Sequence, residues 1–114
     1  MLRSSSMNFK VKSISVFERQ AKRLVKKFPS LKKEIQILIN ELKEFPEKGT
    51  SIGQGCYKIR LAIASKGKGK SGGARIITHV IFKNDTVYLL SIYDKSEIAS
   101  LTDKEILEFI KLIP

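Results

Sequence analysis

Residues 56–82 read CYKIRLAIASKGKGKSGGARIITHVIF: two alternating apolar runs, CYKIRLAI and ARIITHVIF, joined by the basic glycine loop SKGKGKSGG. Alternation with period two predicts two strands. In the first run Tyr57, Ile59, Leu61 and Ile63 alternate with Lys58, Arg60 and Ala62. One face therefore packs on a core, and the other presents two cations about 7 Å apart, the i, i+2 spacing of an extended chain. The second run is more apolar, as an interior strand requires. No acidic residue occurs between Glu47 and Asp85, so Lys58, Arg60, Lys66, Lys68, Lys70, Arg75 and Lys83 have no internal counter-charge nearby in sequence. The stretch predicts a cationic surface built on a sheet.

Working outward, KNDT at 83–86 is a tight turn into a third strand, TVYLLSIYD, so three consecutive strands form an antiparallel meander. Upstream, FKVKSIS at 9–15 carries a short strand signal. Ser15 is placed to cap a helix with Glu18 three residues on, and Phe17, Ala21, Leu24, Val25 and Phe28 form one apolar stripe. Pro29 ends that helix and Ser30 caps the next, whose stripe is Leu31, Ile35, Leu38, Ile39 and Leu42. PEKGTSIGQG at 46–55 reads as a turn-rich connector. A TDKE capping box at 102–105 opens a last helix with Ile106, Phe109, Ile110 and Ile113 on its stripe. The order is strand, helix, helix, strand, strand, strand, helix. This predicts an α+β domain: two N-terminal helices on one face of a small curved antiparallel sheet, a short C-terminal helix, and the cations on the other face.

A chain of 114 residues supports one domain. Residues 1–6 are expected to be a disordered N-terminal extension, with 7–114 as the folded unit. The content, 42% hydrophobic and 29% charged, is that of a globular protein. A formal net charge of +11 and a pI near 9.9 favour polyanionic partners such as nucleic acid, an acidic protein or an anionic surface. The N-terminus lacks a signal-peptide core and no apolar run is long enough to span a bilayer, so a cytoplasmic protein without membrane attachment is expected. Cys56 is the only cysteine, which excludes an internal disulfide; with no Cys/His cluster, neither a metal nor a cofactor is expected.

The loop also spells GxGxxG through Gly67, Gly69 and Gly72, but a strand follows where a dinucleotide site needs a helix, so nucleotide binding is set aside. The loop fits a flexible hairpin tip. It fits equally a basic arm on a nucleic-acid backbone, with Lys66, Lys68 and Lys70 as contacts. His79, the only histidine, lies among Ile76, Ile77, Val80 and Ile81. It reads first as structural and second as a general base sharing a face with Arg75. Cys56 reads as a packed thiol, Tyr57 and Tyr88 as core aromatics, and Tyr93, at a strand end beside Asp94 and Lys95, as able to stack a base.

The element order, with CYKIRL, an arginine opening the next strand in GGARIITHVIF, then VYLLSIYDKSE and a helix begun by LTDKEI, resembles the RelE/ParE toxin superfamily of type II toxin-antitoxin systems. Within it, the chain is similar to the HigB-type toxins that share a KGKGKSGG-like insertion before that arginine. The similarity covers nearly the whole chain from about Met7. It implies a metal-independent endoribonuclease that cuts mRNA in the ribosomal A site, with the ribosome, mRNA and a cognate antitoxin as partners. By the same resemblance Lys58, Arg60 and Arg75 orient the scissile phosphate and stabilise the pentavalent phosphorus. Where the family pattern carries a further arginine this chain has Ser96, after Lys95, and no tyrosine follows in Ile98 to Leu101. Stacking and proton transfer then fall among Tyr93, Lys95 and His79. Two alternatives stay open: a ParE-like gyrase inhibitor of the same fold, and a non-catalytic RNA-binding module.

Overall fold

The computed structural model describes residues 8–67 and 69–114; the expected extension at 1–6 and Lys68 lie outside them. Among the described residues the elements are β1 (Lys10–Ser13), α1 (Ser15–Lys27), α2 (Leu31–Glu44), β2 (Thr50–Gly53), β3 (Cys56–Leu61), β4 (Ala74–Ile81), β5 (Thr86–Asp94) and α3 (Asp103–Lys111). The strands form one sheet in the order β1-β5-β4-β3-β2. The expected meander is β3-β4-β5, antiparallel throughout.

Two additions complete the sheet. The connector at 46–55 is not all turn: Thr50 to Gly53 pair with β3 as an antiparallel edge strand. At the other edge β1 runs parallel to β5, so the sheet is mixed. Parallel pairing needs a crossover of a dozen or more residues, and here the chain from α1 to β4 supplies it.

The helices form where the apolar stripes predict. Phe17 and Leu24 of α1, and Leu31, Ile35, Leu38 and Leu42 of α2, are buried. They join Ile59, Leu61, Ile76, Leu90 and Ile92 in one core. Each such side chain removed from water contributes about 1.5–3 kcal/mol before conformational entropy is subtracted. The caps are chemically different from the expectation. Ser15 is the first helical residue, Ile14 holds the N-cap, and it is Ser13 Oγ that donates to Glu18 Oε2 at 2.7 Å. Ser30 sits at the N-cap of α2 without a side-chain capping bond, and its hydroxyl is buried with no partner among the described residues. The Thr102–Glu105 capping box of α3 forms in both directions.

Helix α3 covers the opposite face. Ile106 and Leu101 lie against Ile77 and Lys58 around a small gap of about 140 Å³. The face bearing the cations is therefore half roofed by α3 and open at the end nearer the 62–73 loop.

Candidate functional site

The antiparallel register decides which side chains meet. Arg60 stands opposite Arg75 across β3 and β4, and Arg75 stands opposite Tyr93 across β4 and β5. Directly opposed residues project from the same face, so the three form one row, with Lys58 one pleat away on β3. Two like charges placed face to face raise the energy of both. Arg75 shows it: burial first, and then the Arg60 charge, pull its pKa below the ordinary arginine value, while it stays protonated.

Arg60 is exposed, Lys58 half-buried and Arg75 only 4% exposed. The guanidinium of Arg75 reaches the loop instead of solvent. It donates from Nη1 to the carbonyl of Lys70 at 2.8 Å and of Ala74 at 3.1 Å, and from Nη2 to the carbonyl of Ser71 at 3.2 Å. The loop is thus a shaped structure with two short 3-10 turns, Ala64–Lys66 and Gly69–Gly72. Carbonyl oxygens carry no net charge, so Arg75 keeps its full positive charge below the surface.

Arg60, at the β3 end of that row, also lines an open groove of about 450 Å³ between β3, the 48–50 connector and the loop, with Lys48, Gly49, Thr50, Lys58, Ile59 and Lys70. Lys58, Arg60 and Lys70 have no carboxylate within ion-pair distance among the described residues. Lys48 is loosely paired with Glu41 at 3.8 Å between exposed ends, a contact worth little in water. The sequence reading passed over Lys48, although it is the first residue of the acid-free window after Glu47. Gly49 makes the wall possible. Its φ is +104°, and a Cβ there would lie 2.5 Å from the Lys58 carbonyl oxygen, so only glycine lets the connector lie against β3.

Lys66 and Lys95 lie on the other flank of the loop, around a second open cleft of about 390 Å³ with Ser71, Gly72 and Ser96. Expected as an RNA contact, Lys66 is instead ion-paired: its Nζ lies 2.6 Å from Asp94 Oδ1 and 3.0 Å from Ser96 Oγ, above the Phe28 ring at 5.5 Å. Burial of Asp94 would push its pKa up, but hydrogen bonds from Lys66 and from the backbone and hydroxyl of Ser96 hold it below the usual carboxylate value. Lys95 is exposed, outside the groove that holds Lys58 and Arg60.

The remaining candidates are not brought to the groove. His79 is opposite Cys56, near the β2–β3 turn, about 13 Å along β4 from Arg75 at some 3.3 Å per residue. Its Nδ1 lies 3.4 Å from Cys56 Sγ. Burial lowers the pKa of His79, against backbone hydrogen bonds to Gly55 and Gln54, and burial pushes the Cys56 thiol up to about 11; it is their distance from Arg75 that keeps both away from the cations. Tyr93 is 2% exposed, with its hydroxyl buried and unpartnered among the described residues, so no base can stack on it. Burial raises its pKa despite the opposing Arg75 charge, keeping it a phenol. Tyr57 is half-buried, its hydroxyl donating to Glu47 at 2.8 Å, while Tyr88 is in the core as expected. Among the described residues no three His, Cys, Asp or Glu side chains gather as metal ligands, and no helix is long and apolar enough to cross a membrane.

No family model matches the chain. Solved structures do. A variant of E. coli toxin RelE in the free state aligns with TM-score 0.59 at 20% identity, covering 95% of this chain and 100% of that one. The same variant in complex with a peptide of antitoxin RelBc aligns with TM-score 0.55 at 21% identity, over 95% of this chain and 100% of that chain. The toxin-antitoxin complex RelBE2 from Mycobacterium tuberculosis gives TM-score 0.56 at 14% identity, over 81% of this chain and 97% of the other. The helix pair, mixed sheet and C-terminal helix described above are thus the fold of RelE toxins.

Proposed function

We propose that the chain is a RelE/ParE-superfamily toxin of a type II toxin-antitoxin pair, of the HigB-type branch, and that it cuts messenger RNA in the ribosomal A site. One observation carries the reading: Lys58, Arg60 and Lys70 line one open groove without a carboxylate, and the buried Arg75 stands opposite Arg60 and holds the Lys70 carbonyl. A dense cluster of fixed positive charge without an acidic partner suits a phosphodiester that gains negative charge as it reacts.

In the proposed reaction the 2'-hydroxyl attacks the adjacent phosphorus, the bond to the 5'-oxygen breaks, and the products are a 2',3'-cyclic phosphate and a 5'-hydroxyl. The 2'-hydroxyl loses a proton and the leaving oxygen gains one. Lys58 and Arg60 grip the non-bridging oxygens from below and Lys70 from the loop side, stabilising the phosphorane. Preorganised donors of this kind are commonly the largest single contribution to such a rate. Guanidinium groups do not exchange protons at neutral pH, so the groove lysines, Lys58, Lys70 and the loosely paired Lys48, are the groups there able to shuttle them. A bound metal is not needed in this scheme, because the cations supply the charge one would bring.

The natural occupant of a +11 surface when the toxin is silenced is an acidic antitoxin segment. The antitoxin-bound neighbours of the same fold support such a partner. A toxin that acts on ribosomes would do so in the cytoplasm. Induced expression tests the reading: mapped breaks within translated mRNA are the expected result. Intact mRNA with DNA supercoiling defects would point to gyrase instead, and binding of RNA without any break to a non-catalytic module.

A further inference from the structure

The basic loop crosses the end of the sheet from one face to the other. Tyr93 and Asp94 are consecutive in β5 and project to opposite faces. Tyr93 is in the row with Arg75 and Arg60, and Asp94 meets Lys66 beside Phe28 at the end of α1. Lys66 is therefore tied down on the helix side, while Lys70, four residues on, lines the groove on the other. Between them Arg75 holds the carbonyls of Lys70 and Ser71, and the Gly73 amide donates to the Lys70 carbonyl at 3.4 Å. Asp94 is 1% exposed and receives three bonds, from Lys66 Nζ, Ser96 N and Ser96 Oγ, all at Oδ1. A buried carboxylate so fully engaged is an anchor.

We propose that Asp94 and Lys66 are positioning residues: their ion pair clamps the loop so that Lys70 becomes a ligand for an RNA phosphate, while Lys66 itself touches no RNA. The proposal rests on the nuclease reading for its substrate, and makes different demands on different residues of one basic run. Lys70 acts through its free charge. Lys66 acts through Lys70, because Asp94 already neutralises it.

A single-stranded RNA oligonucleotide and amide hydrogen exchange test this. Each phosphate contact on a single strand contributes about 0.7 to the slope of log affinity against log salt, equivalent to about four-fold in affinity at 0.15 M. Lys70→Ala should lose that one contact. Lys66→Gln should lose the same one indirectly, and the double variant should lose no more than either alone. Exchange in the peptide covering the loop should rise in Lys66→Gln and in Asp94→Asn, with the rest of the sheet protected as in the wild type. Additive losses, with the slope falling by about 1.4 in the double variant, would make Lys66 a direct ligand and overturn the proposal. So would unchanged exchange in the loop, or a wild type with no affinity for RNA. Should the wild type bind RNA and show the non-additive pattern yet cut nothing on ribosomes, the nuclease reading fails while the clamp stands. Lys66→Gln keeps the test open if Asp94→Asn does not fold, since Lys66 is the more exposed end of the pair.

Discussion

Replacing Arg75 with methionine should separate stability from function. The side chain is 4% exposed and its guanidinium makes three bonds to carbonyls, of Lys70 at 2.8 Å, Ala74 at 3.1 Å and Ser71 at 3.2 Å. Bonds from a charged donor are worth about 1.5–3 kcal/mol each, so about 4.5–9 kcal/mol of gross stabilisation disappears. Against this, a charge no longer has to be kept out of water, a cost of several kcal/mol, and the repulsion from Arg60 vanishes. Methionine fills most of the space left by the aliphatic stem. Two of the three released carbonyls belong to the exposed residues Lys70 and Ser71, where water can take the place of the guanidinium, and the third to the buried Ala74. The net loss should be about 1–2 kcal/mol, or about 5–15 °C in melting temperature for a domain of this size. Cleavage should suffer far more. Arg75 does not reach the phosphate, but it holds the Lys70 backbone and adds charge beside Arg60; loss of one fixed donor to a developing anion, the limiting case if Lys70 is displaced, costs 10²–10³ in rate, about 2.7–4 kcal/mol. Thermal melts and cleavage by translating ribosomes measure the two sides. The reasoning is refuted if Arg75→Met melts close to the wild type and cleaves within ten-fold of it. It is equally refuted if the variant melts more than 25 °C lower, since Arg75 would then be a structural keystone.

Tyr93→Phe removes a buried hydroxyl that has no partner among the described residues, so calorimetry should find the variant equal to the wild type or up to about 1 kcal/mol more stable. Gly73→Ala should fold poorly, because a Cβ there would lie 2.0 Å from the Leu61 carbonyl oxygen and force β3 and β4 apart at the loop; circular dichroism after purification checks it. Asp94 titrates below the usual carboxylate value in the folded protein, so its stabilising contribution is present above the unfolded pKa of about 3.9 and lost as pH falls through the lower folded value. The gap in melting temperature between wild type and Asp94→Asn should therefore be constant at neutral pH and close below about pH 3.9.

Much of this fold can be read from periodicity, because its helices and inner strands bury one face each. The Leu31, Ile35, Leu38 and Leu42 stripe and the alternation in CYKIRL need no distant information. Strand β2 is invisible for the opposite reason: TSIG has one apolar residue, and only pairing with β3 makes it extended. The parallel edge β1 depends on a partner more than seventy residues away. Within the site, Lys58 and Arg60 could be placed on one exposed face because spacing on a single strand fixes it. The fate of Lys66 could not, since Asp94, 28 residues on, decides whether that lysine is free. Tyr93 and Arg75 were legible as neighbours of charge but not as buried, because burial depends on what the 62–73 loop and α3 cover.

Cleavage of a defined message on translating ribosomes, with cut sites mapped at nucleotide resolution for wild type and Arg60→Ala, tests the central claim most directly. Arg60 is exposed in the groove and unpaired among the described residues, so the variant should melt like the wild type. The account predicts A-site cuts by the wild type and a loss on the order of 10² or more for Arg60→Ala. An intact message with the wild type, or undiminished cutting by the variant, contradicts it.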